Sequence, residues 1–173
     1  MLRDGLDVFT PSHRRVPPES LDPNIKSHNY LNLVMADLEI RDRAAHAWAM
    51  LLDTRGFVSE GIGSNVFFVK DGELLTPKAD YVLPGVSRAV VLELAAAEGV
   101  AAHEVDISPE QARSANEAFI TSTSFCICPV RSYDEARLDK TGIPGPITRR
   151  LIDAFAEEAQ FDFVGQYLDA LTK

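Results

Sequence analysis

The sequence predicts an α+β fold. Short apolar runs follow one another with turns between them, and Asp71-Gly72 separates two such runs as the turn of a hairpin would. Stretches with helical periodicity lie before, between and after these runs. Strands that come in groups joined by hairpins are typical of α+β proteins, whereas doubly wound folds alternate single strands with helices. The sequence also lacks a glycine-rich dinucleotide fingerprint.

Length and charge narrow the class of protein. A chain of 173 residues is expected to form one domain with a substantial core. The net charge of −9 argues against nucleic acid and against an anionic membrane surface as partners, although an acidic protein can still have a locally positive site for a small anion. No apolar run approaches membrane-spanning length, and residues 1–10 lack the apolar core of a signal peptide. We therefore expect a soluble cytoplasmic protein.

The first part of the chain predicts a linker followed by a helix. Residues 1–24 are expected to be irregular, because two arginines and the Pro17-Pro18 pair indicate an extended segment. Between Asn29 and Arg43, apolar side chains recur at helical spacing. The residues of this predicted apolar face are Tyr30, Leu33, Val34 and Leu38.

The remainder of the chain predicts strands with a few helices. A helix is expected from Val86 to about Glu98, where Gly99 ends it, and Ser108 is expected to cap a short helix. A final helical region begins at Gly145. The predicted strands cover residues 47–52, 57–60, 66–69, 73–76, 100–107, 117–121 and 127–130.

Lys26 is the first candidate for a chemical role. It follows a proline-marked approach and directly precedes the predicted helix. A lysine at a strand-to-helix junction, next to an apolar face, is expected to point into the interior. Loss of solvation there favours the neutral amine, which is a usable nucleophile or base. The alternative is a solvated lysine at a helix start.

Glu60 is the second candidate. It opens residues 60–65, in which two glycines let the backbone pass close to another group and Asn65 tolerates unusual dihedral angles. A carboxylate between two apolar strands requires a partner. The alternative is an edge-strand glutamate in water, and the residues themselves leave both interpretations open.

Two polar segments are competent to bind an anion. Pro84-Gly85 forms a turn into the predicted helix, where the N–H groups near Val86 and Ser87, together with the Ser87 hydroxyl, are free to bind one. Residues 121–124 add a cluster of hydroxyl groups. Both features also occur without a ligand, because every helix start has free N–H groups and loops are rich in such residues.

Metal and thiol chemistry have little support. The histidines are scattered, so we expect no metal site. Cys126 and Cys128 are expected to be free thiols, because a disulfide between them would be strained and two ligands are too few for a metal.

Taken together, these segments resemble the fold-type IV pyridoxal-phosphate enzymes, the class IV aminotransferase family, and within it the branched-chain aminotransferase-like members. Their order and spacing agree over roughly residues 14–155. The matching segments are Ile25-Lys26-Ser27 with Asn29-Tyr30-Leu31-Asn32, Ser59-Glu60-Gly61-Ile62-Gly63-Ser64-Asn65-Val66-Phe67, Leu83-Pro84-Gly85-Val86-Ser87-Arg88, Thr121-Ser122-Thr123-Ser124 and Pro129-Val130-Arg131. The resemblance implies the large domain of these enzymes, with antiparallel sheets in a pseudo-barrel and flanking helices.

The resemblance also implies roles for named residues. Lys26 would bind pyridoxal 5′-phosphate covalently and, when free, move a proton between the substrate α-carbon and the cofactor. Glu60 would pair with the nitrogen of the cofactor ring and keep it protonated. The remaining contacts implied are phosphate binding by Val86, Ser87 and Thr123, packing on the ring face by Leu83, approach to the ring hydroxyl by Tyr30, and placement of Ser124 on the substrate side.

The same resemblance implies the reaction and the organisation of the protein. The expected activity is amino-group transfer between a branched-chain-like amino acid and a 2-oxo acid, in a homodimer. Residues 1–24 would be an interdomain linker and residues 25–173 the cofactor-binding large domain. The smaller amino-terminal domain of the family is absent from this sequence, as in a truncated form. The alternatives are a pyridoxal-phosphate lyase of the aminodeoxychorismate type and a non-catalytic remnant.

Overall fold

The computed structural model describes residues 2–42, 44 and 46–170. Within these ranges, no helix is long and apolar enough to span a membrane. A 3-10 turn covers Ala79–Tyr81. In chain order the strands and helices are β1 (Leu6–Phe9), α1 (Leu31–Arg41), β2 (Trp48–Leu52), β3 (Val58–Gly61), β4 (Asn65–Lys70), β5 (Glu73–Pro77), α2 (Val86–Ala97), β6 (Ala102–Val105), α3 (Pro109–Arg113), β7 (Glu117–Ser122), β8 (Cys126–Tyr133), β9 (Ala136–Arg137), α4 (Pro146–Glu158) and α5 (Phe163–Ala170).

The strands form one curled sheet with the order β3-β2-β1-β8-β7-β4-β5-β6, and β9 pairs with β8. The sheet is mixed, because β1 runs parallel to both β2 and β8, and β5 runs parallel to β6. The two ends of the sheet are joined by a hydrogen bond: the N–H of Val58 in β3 donates to the carbonyl of Ile107, just after β6, at 2.8 Å. The sheet thus curls back on itself with helices outside it, which confirms the predicted α+β fold.

β1 corrects the prediction that residues 1–24 are irregular. Leu6–Phe9 forms a strand in the middle of the sheet, and its first and third side chains are buried. Between them, the carboxylate of Asp7 pairs with the guanidinium of Arg131 on β8. This alternation has the period of two that a strand requires. It covers too few residues to stand out from the sequence beside the prolines and arginines that follow.

Apolar clusters join the sheet to the helices. One cluster lies on one face of the sheet and includes Phe68, Ile120 and Tyr133. A second packs the other face against α2, α4 and α5, and in it the rings of Phe67 and Phe119 stack with centroids 5.0 Å apart. A third packs α1 against β2. Because neighbouring residues of β4 contribute to both faces, this strand is buried on both sides.

α1 confirms the predicted helix, although its apolar face was only partly identified. Leu33 is buried, but Val34 and Leu38 are 40% and 52% exposed. Ala36 and Ile40 occupy the inner face instead. The helix is apolar on both sides, so periodicity alone could not distinguish the buried face from the outer one. The predicted end of the helix, residue 43, lies outside the described residues.

Local turn and cap signals are confirmed. Asp71 and Gly72 have φ angles of 51° and 90°, as a tight hairpin turn of the I′ type requires. Gly99 follows α2 with a φ of 69°. The hydroxyl of Ser108 accepts a hydrogen bond from the N–H of Gln111, whose side chain in turn accepts one from the Ser108 N–H, so α3 begins with a capping box.

Candidate active site

A cavity of about 210 Å³ opens where the segment before α1 meets the β3–β4 connection, the start of α2 and the end of β7. Of the residues predicted to bind a cofactor, only Ser124 is not part of its lining. Ser124 lies in the adjacent turn, where its carbonyl accepts a hydrogen bond from the hydroxyl of Tyr167. The predicted residues that line the cavity are Lys26, Tyr30, Glu60, Leu83, Val86, Ser87 and Thr123.

Lys26 lies at the rim of this cavity with its side chain exposed, so the expectation of a buried lysine is wrong for this structure. No strand leads into it, since residues 15–30, all of them described, form turns and irregular segments. Short-range bonds run from the N–H of Ile25 to the Asp22 carbonyl and from the N–H of Ser27 to the Ile25 carbonyl. They keep this segment on the surface and leave the lysine amine accessible.

Glu60 is buried near the end of β3, with 5% of its surface exposed. Its Oε1 lies 2.6 Å from Nε of Arg15, and its Oε2 accepts a hydrogen bond from the N–H of Leu83 at 3.0 Å. Arg15 therefore supplies the compensating charge that a buried carboxylate requires. The alternative of an edge-strand glutamate in water is excluded. Each carboxylate oxygen has two acceptor sites, so a further donor in the cavity can still be bound.

Residues 83–85 form one wall of the cavity, and side chains of β3 and β4 fix the backbone of this segment. The carbonyl of Leu83 accepts a hydrogen bond from Nδ2 of Asn65 at 2.8 Å. Just before the wall, the hydroxyl of Ser59 donates to the carbonyl of Tyr81 at 2.9 Å. The wall is thus attached to the sheet before α2 begins.

The first turn of α2 faces the cavity. Gly85 is its N-cap, and no side chain caps the helix. Since N–H groups of a first turn have no partners within the helix, those of Val86 and Ser87 are available to an anion. The positive end of the helix dipole favours the same charge. Thr123 approaches from the end of β7 and adds a hydroxyl group.

The charged side chains of the cavity lining give it a positive balance. They are Arg15, Lys26 and Glu60, two cations and one carboxylate. The whole chain, in contrast, has a net charge of −9. A small anionic ligand, which the sequence analysis left possible, is therefore the kind of ligand that this cavity suits.

Sequence reasoning did not identify Arg15 and Asn65 as site residues. Arg15 belongs to the segment predicted as a linker and precedes its partner Glu60 by 45 residues, so only the fold brings the two together. Asn65 had a detectable signal, because it is a polar residue that begins the otherwise apolar strand β4 and is nevertheless buried.

The two cysteines do not contribute a reactive group. Both are free, as predicted. Burial raises the pKa of the Cys128 thiol to about 12, and burial also raises the pKa of the Cys126 thiol. Thiolate chemistry at neutral pH is therefore disfavoured at both positions.

Comparisons with known proteins identify the family of this chain. The family model described as Amino-transferase class IV matches residues 2–133. A putative branched-chain-amino-acid aminotransferase of Methanocaldococcus jannaschii is 39% identical over 155 residues, which make up 89% of this chain and 53% of that protein. The branched-chain-amino-acid aminotransferase of Escherichia coli K12 is 36% identical over 156 residues, 89% of this chain and 50% of that protein.

Solved structures show the same fold. The branched-chain amino acid aminotransferase from Thermobaculum terrenum in its PLP-form (holo-form) superposes with a TM-score of 0.85 at 34% identity, covering 93% of this chain and 53% of that one. The chain spans about half the length of the curated relatives it matches. The matched residues 2–133 contain the complete lining of the cavity. The chain belongs to the class IV aminotransferase family.

Proposed function

We propose that this chain binds pyridoxal 5′-phosphate in the cavity and that the protein transfers an amino group between a branched-chain-like amino acid and a 2-oxo acid. The observation that carries the proposal is the meeting of Lys26, Glu60 and the start of α2 around one cavity. The names of the relatives support the substrate class, and the cofactor of the Thermobaculum terrenum structure supports the cofactor.

The donor set of the cavity suits this cofactor chemically. Lys26 offers an amine for the aldehyde, and Glu60 offers a carboxylate for the ring nitrogen. The N–H groups at the start of α2 and the hydroxyls of Ser87 and Thr123 suit a phosphate dianion. Leu83 provides an apolar side chain in the wall, which suits the face of a flat ring.

We assign the chemical steps to residues of this chain. When bound, pyridoxal 5′-phosphate supplies an electron sink for the bonds at the substrate α-carbon. Lys26 would hold the cofactor through its amine and, as a free amine, would move a proton at that α-carbon. Glu60 would accept a hydrogen bond from the ring nitrogen and favour its protonated form, while Arg15 and the Leu83 N–H hold the carboxylate in place. Tyr30 would approach the ring hydroxyl and Leu83 would pack on the face of the ring.

Reductive trapping tests the assignment of Lys26. The chain is incubated with pyridoxal 5′-phosphate, reduced with borohydride and mapped by peptide mass spectrometry. We expect the adduct on Lys26, its loss in Lys26→Ala, and its retention in Lys78→Ala, a control that removes a partly exposed lysine outside the cavity. Label spread over surface lysines with Lys26 unmodified would disprove the assignment.

A substrate panel tests the reaction. Single amino acids are supplied with 2-oxoglutarate and the protein, and the new oxo acid is identified. Transfer predicts the oxo acid that corresponds to each branched-chain amino acid, together with stoichiometric glutamate. Elimination products without glutamate would instead indicate a lyase.

We also propose that the partner of this chain is a second copy of itself. The outer face of α1 carries an apolar stripe, here called the outer α1 stripe, that consists of Leu31, Val34, Met35 and Leu38, which are 68%, 40%, 43% and 52% exposed. Their spacing places them on one side of the helix. Contiguous exposed apolar patches are uncommon on monomers. A twofold axis across the stripe would cover both copies with the same surface.

A further inference from the structure

Leu83 is hydrogen-bonded through both of its backbone groups to side chains of the sheet. Its N–H donates to Oε2 of Glu60 at 3.0 Å, and its carbonyl accepts from Nδ2 of Asn65 at 2.8 Å. Glu60 and Asn65 are 5% and 6% exposed, so both bonds are shielded from water. The backbone at Leu83 is therefore fixed relative to β3 and β4 with little freedom to shift.

Gly85 shows that the position of Asn65 restricts the next part of the chain. Its backbone angles, φ −66° and ψ 144°, are open to any residue, so the glycine is not required by conformation. A Cβ atom at this position would, however, lie 2.3 Å from Oδ1 of Asn65. The absence of a side chain at residue 85 is what leaves room for the Asn65 amide and its bond to Leu83.

We propose that Asn65 is a positioning residue, which sets the first turn of α2 at a fixed distance from the carboxylate of Glu60. This inference rests on the proposed function. The phosphate of pyridoxal 5′-phosphate is attached to the ring through a short methylene–oxygen linker, so its distance from the ring nitrogen can vary only within a narrow range. The two groups that bind the phosphate and the ring nitrogen must therefore keep a compatible separation. Asn65 controls that separation through Leu83 and Gly85 without contacting the reacting atoms.

Binding measurements with two ligands separate positioning from general stability. Pyridoxal lacks the phosphate, so its affinity depends on Lys26 and Glu60 but not on the start of α2. In Asn65→Ala, we expect the affinity for pyridoxal 5′-phosphate to fall by about tenfold, the effect of weakening hydrogen bonds to a charged group, while the affinity for pyridoxal is retained. Asn65→Asp keeps the side-chain volume but lacks the amide donor, and we expect the same selective loss.

Thr76→Ala is the matched control. The hydroxyl of Thr76 is buried in β5 and donates to the carbonyl of Val66 at 2.8 Å, outside the cavity lining. This variant also loses one buried bond from a side chain to a backbone carbonyl, so it reproduces the structural cost without moving the wall. The ratio of the two affinities should stay at the wild-type value in Thr76→Ala. An equal ratio in Asn65→Ala and Thr76→Ala would overturn the proposal.

Gly85→Ala tests the contact between residues 65 and 85 by changing residue 85. The new Cβ displaces the Asn65 amide, so we expect a selective loss of affinity for pyridoxal 5′-phosphate in this variant too. In the double variant Asn65→Ala/Gly85→Ala the clash is absent. Gly85→Ala should therefore lower the affinity for pyridoxal 5′-phosphate less in the Asn65→Ala background than it does in the wild type. Fully additive losses would show that residues 65 and 85 act independently and would contradict the proposal.

Amide hydrogen exchange without ligand distinguishes this inference from the proposed function. In Asn65→Ala and Asn65→Asp, we expect faster exchange at Leu83 and in the first turn of α2, and no such local change in Thr76→Ala. If the wild-type chain binds neither ligand but the exchange changes as expected, the proposed function fails and the positioning role stands. If both ligands bind and exchange at Leu83 is unchanged, the positioning role fails alone.

Discussion

Arg15 and Glu60 form a buried ion pair, so a change in either side chain has a large electrostatic consequence. Nε of Arg15 lies 2.6 Å from Oε1 of Glu60, and the two side chains are only 12% and 7% exposed. A buried ion pair contributes little net stability, because desolvation offsets attraction. Removal of one partner is different, since it leaves the other charge buried without compensation.

We expect Arg15→Gln to lower the free energy of unfolding by about 3 kcal/mol, because the carboxylate of Glu60 loses its counter-charge. Urea unfolding measures the loss, and the double variant Arg15→Gln/Glu60→Gln should recover part of it. Arg137→Gln is the control, since Arg137 pairs with Asp139 near the surface, where the two side chains are 58% and 24% exposed, and its loss should cost about 0.5 kcal/mol or less. Equal losses in Arg15→Gln and Arg137→Gln would contradict the prediction.

Glu39 gives the fold a dependence on pH. Its carboxylate accepts hydrogen bonds from the N–H and the hydroxyl of Ser12, both at 2.8 Å, and lies 2.8 Å from Nδ1 of His13. Burial raises the pKa of Glu39, but these hydrogen bonds outweigh it and lower the pKa from 4.5 to about 2. The carboxylate thereby attaches the segment after β1 to α1.

A pKa that is lower in the folded state stabilises the fold above the unfolded pKa of 4.5, and the stabilisation is lost as pH falls toward 2. We therefore expect wild type to be more stable than Glu39→Gln at pH 6, with the difference shrinking as the pH falls through this window. Urea unfolding at several pH values measures it. In Ser12→Ala, which removes one hydrogen bond, the folded pKa should be lowered less, so the total stabilisation should be smaller and its loss should be complete at a higher pH. If the difference in free energy of unfolding between wild type and Glu39→Gln is the same at pH 6 and pH 3, the lowered pKa of Glu39 is refuted.

A site residue could be predicted from the sequence only where it belongs to a recognisable local motif. Lys26, Glu60 and Ser87 lie in such motifs and line the cavity, although the exposure of Lys26 follows from a turn-rich segment that periodicity does not describe. Arg15 could not be assigned, because nothing near it in the sequence indicates a carboxylate 45 residues later.

Among the elements, α4 is capped by a side chain from a distant strand. The carboxylate of Glu117 in β7 accepts hydrogen bonds from the N–H groups of Ile147 and Thr148 at 3.1 and 2.8 Å. The N-cap residue itself, Gly145, offers no side chain. Glu117 therefore satisfies two of the free N–H groups of the first turn and places a negative charge at the positive end of the helix.

We expect Glu117→Ala to lower the free energy of unfolding by about 2 kcal/mol, the upper part of the range for the loss of a helix cap, because both N–H groups are left without an acceptor. Glu117→Gln keeps one acceptor oxygen and should lose less. Ser108→Ala, which removes the exposed cap of α3, is a control expected to cost about 1 kcal/mol. A smaller loss in Glu117→Ala than in Ser108→Ala, measured by urea unfolding, would argue against this cap.

Elements were predictable where local chemistry specifies them. The hairpin at Asp71-Gly72 and the capping box at Ser108 are encoded within a few residues, and the structure has both. β1 was not predictable, because its pairing with β2 and β8 is what identifies it as a strand, and both partners are distant in sequence. The buried face of α1 was ambiguous for a related reason, since the outer α1 stripe is as apolar as the inner face.

For the whole molecule, the outer α1 stripe determines the expected assembly. We expect Leu38→Lys to raise the fraction of monomer in sedimentation equilibrium, because a charge in a self-matching apolar contact faces its own copy. Phe161→Lys is the control, since Phe161 is 49% exposed but lies outside the stripe. If both variants associate as the wild type does, the stripe is not the interface.

The position of β1 has a consequence for synthesis on the ribosome. β1 is translated well before its neighbour β8, because Asp7 pairs with a residue 124 positions later, on β8. Until β8 has emerged, the β2–β3 part of the sheet has no strand connecting it to the part that runs from β8 to β6. Pairing over such a separation is slow, and open strand edges in the interval promote aggregation. We therefore expect β1 to stay unpaired on its β8 side until residues 126–133 have been synthesised, so that the two parts of the sheet join only after most of the residues between Leu6 and Tyr133 have been added.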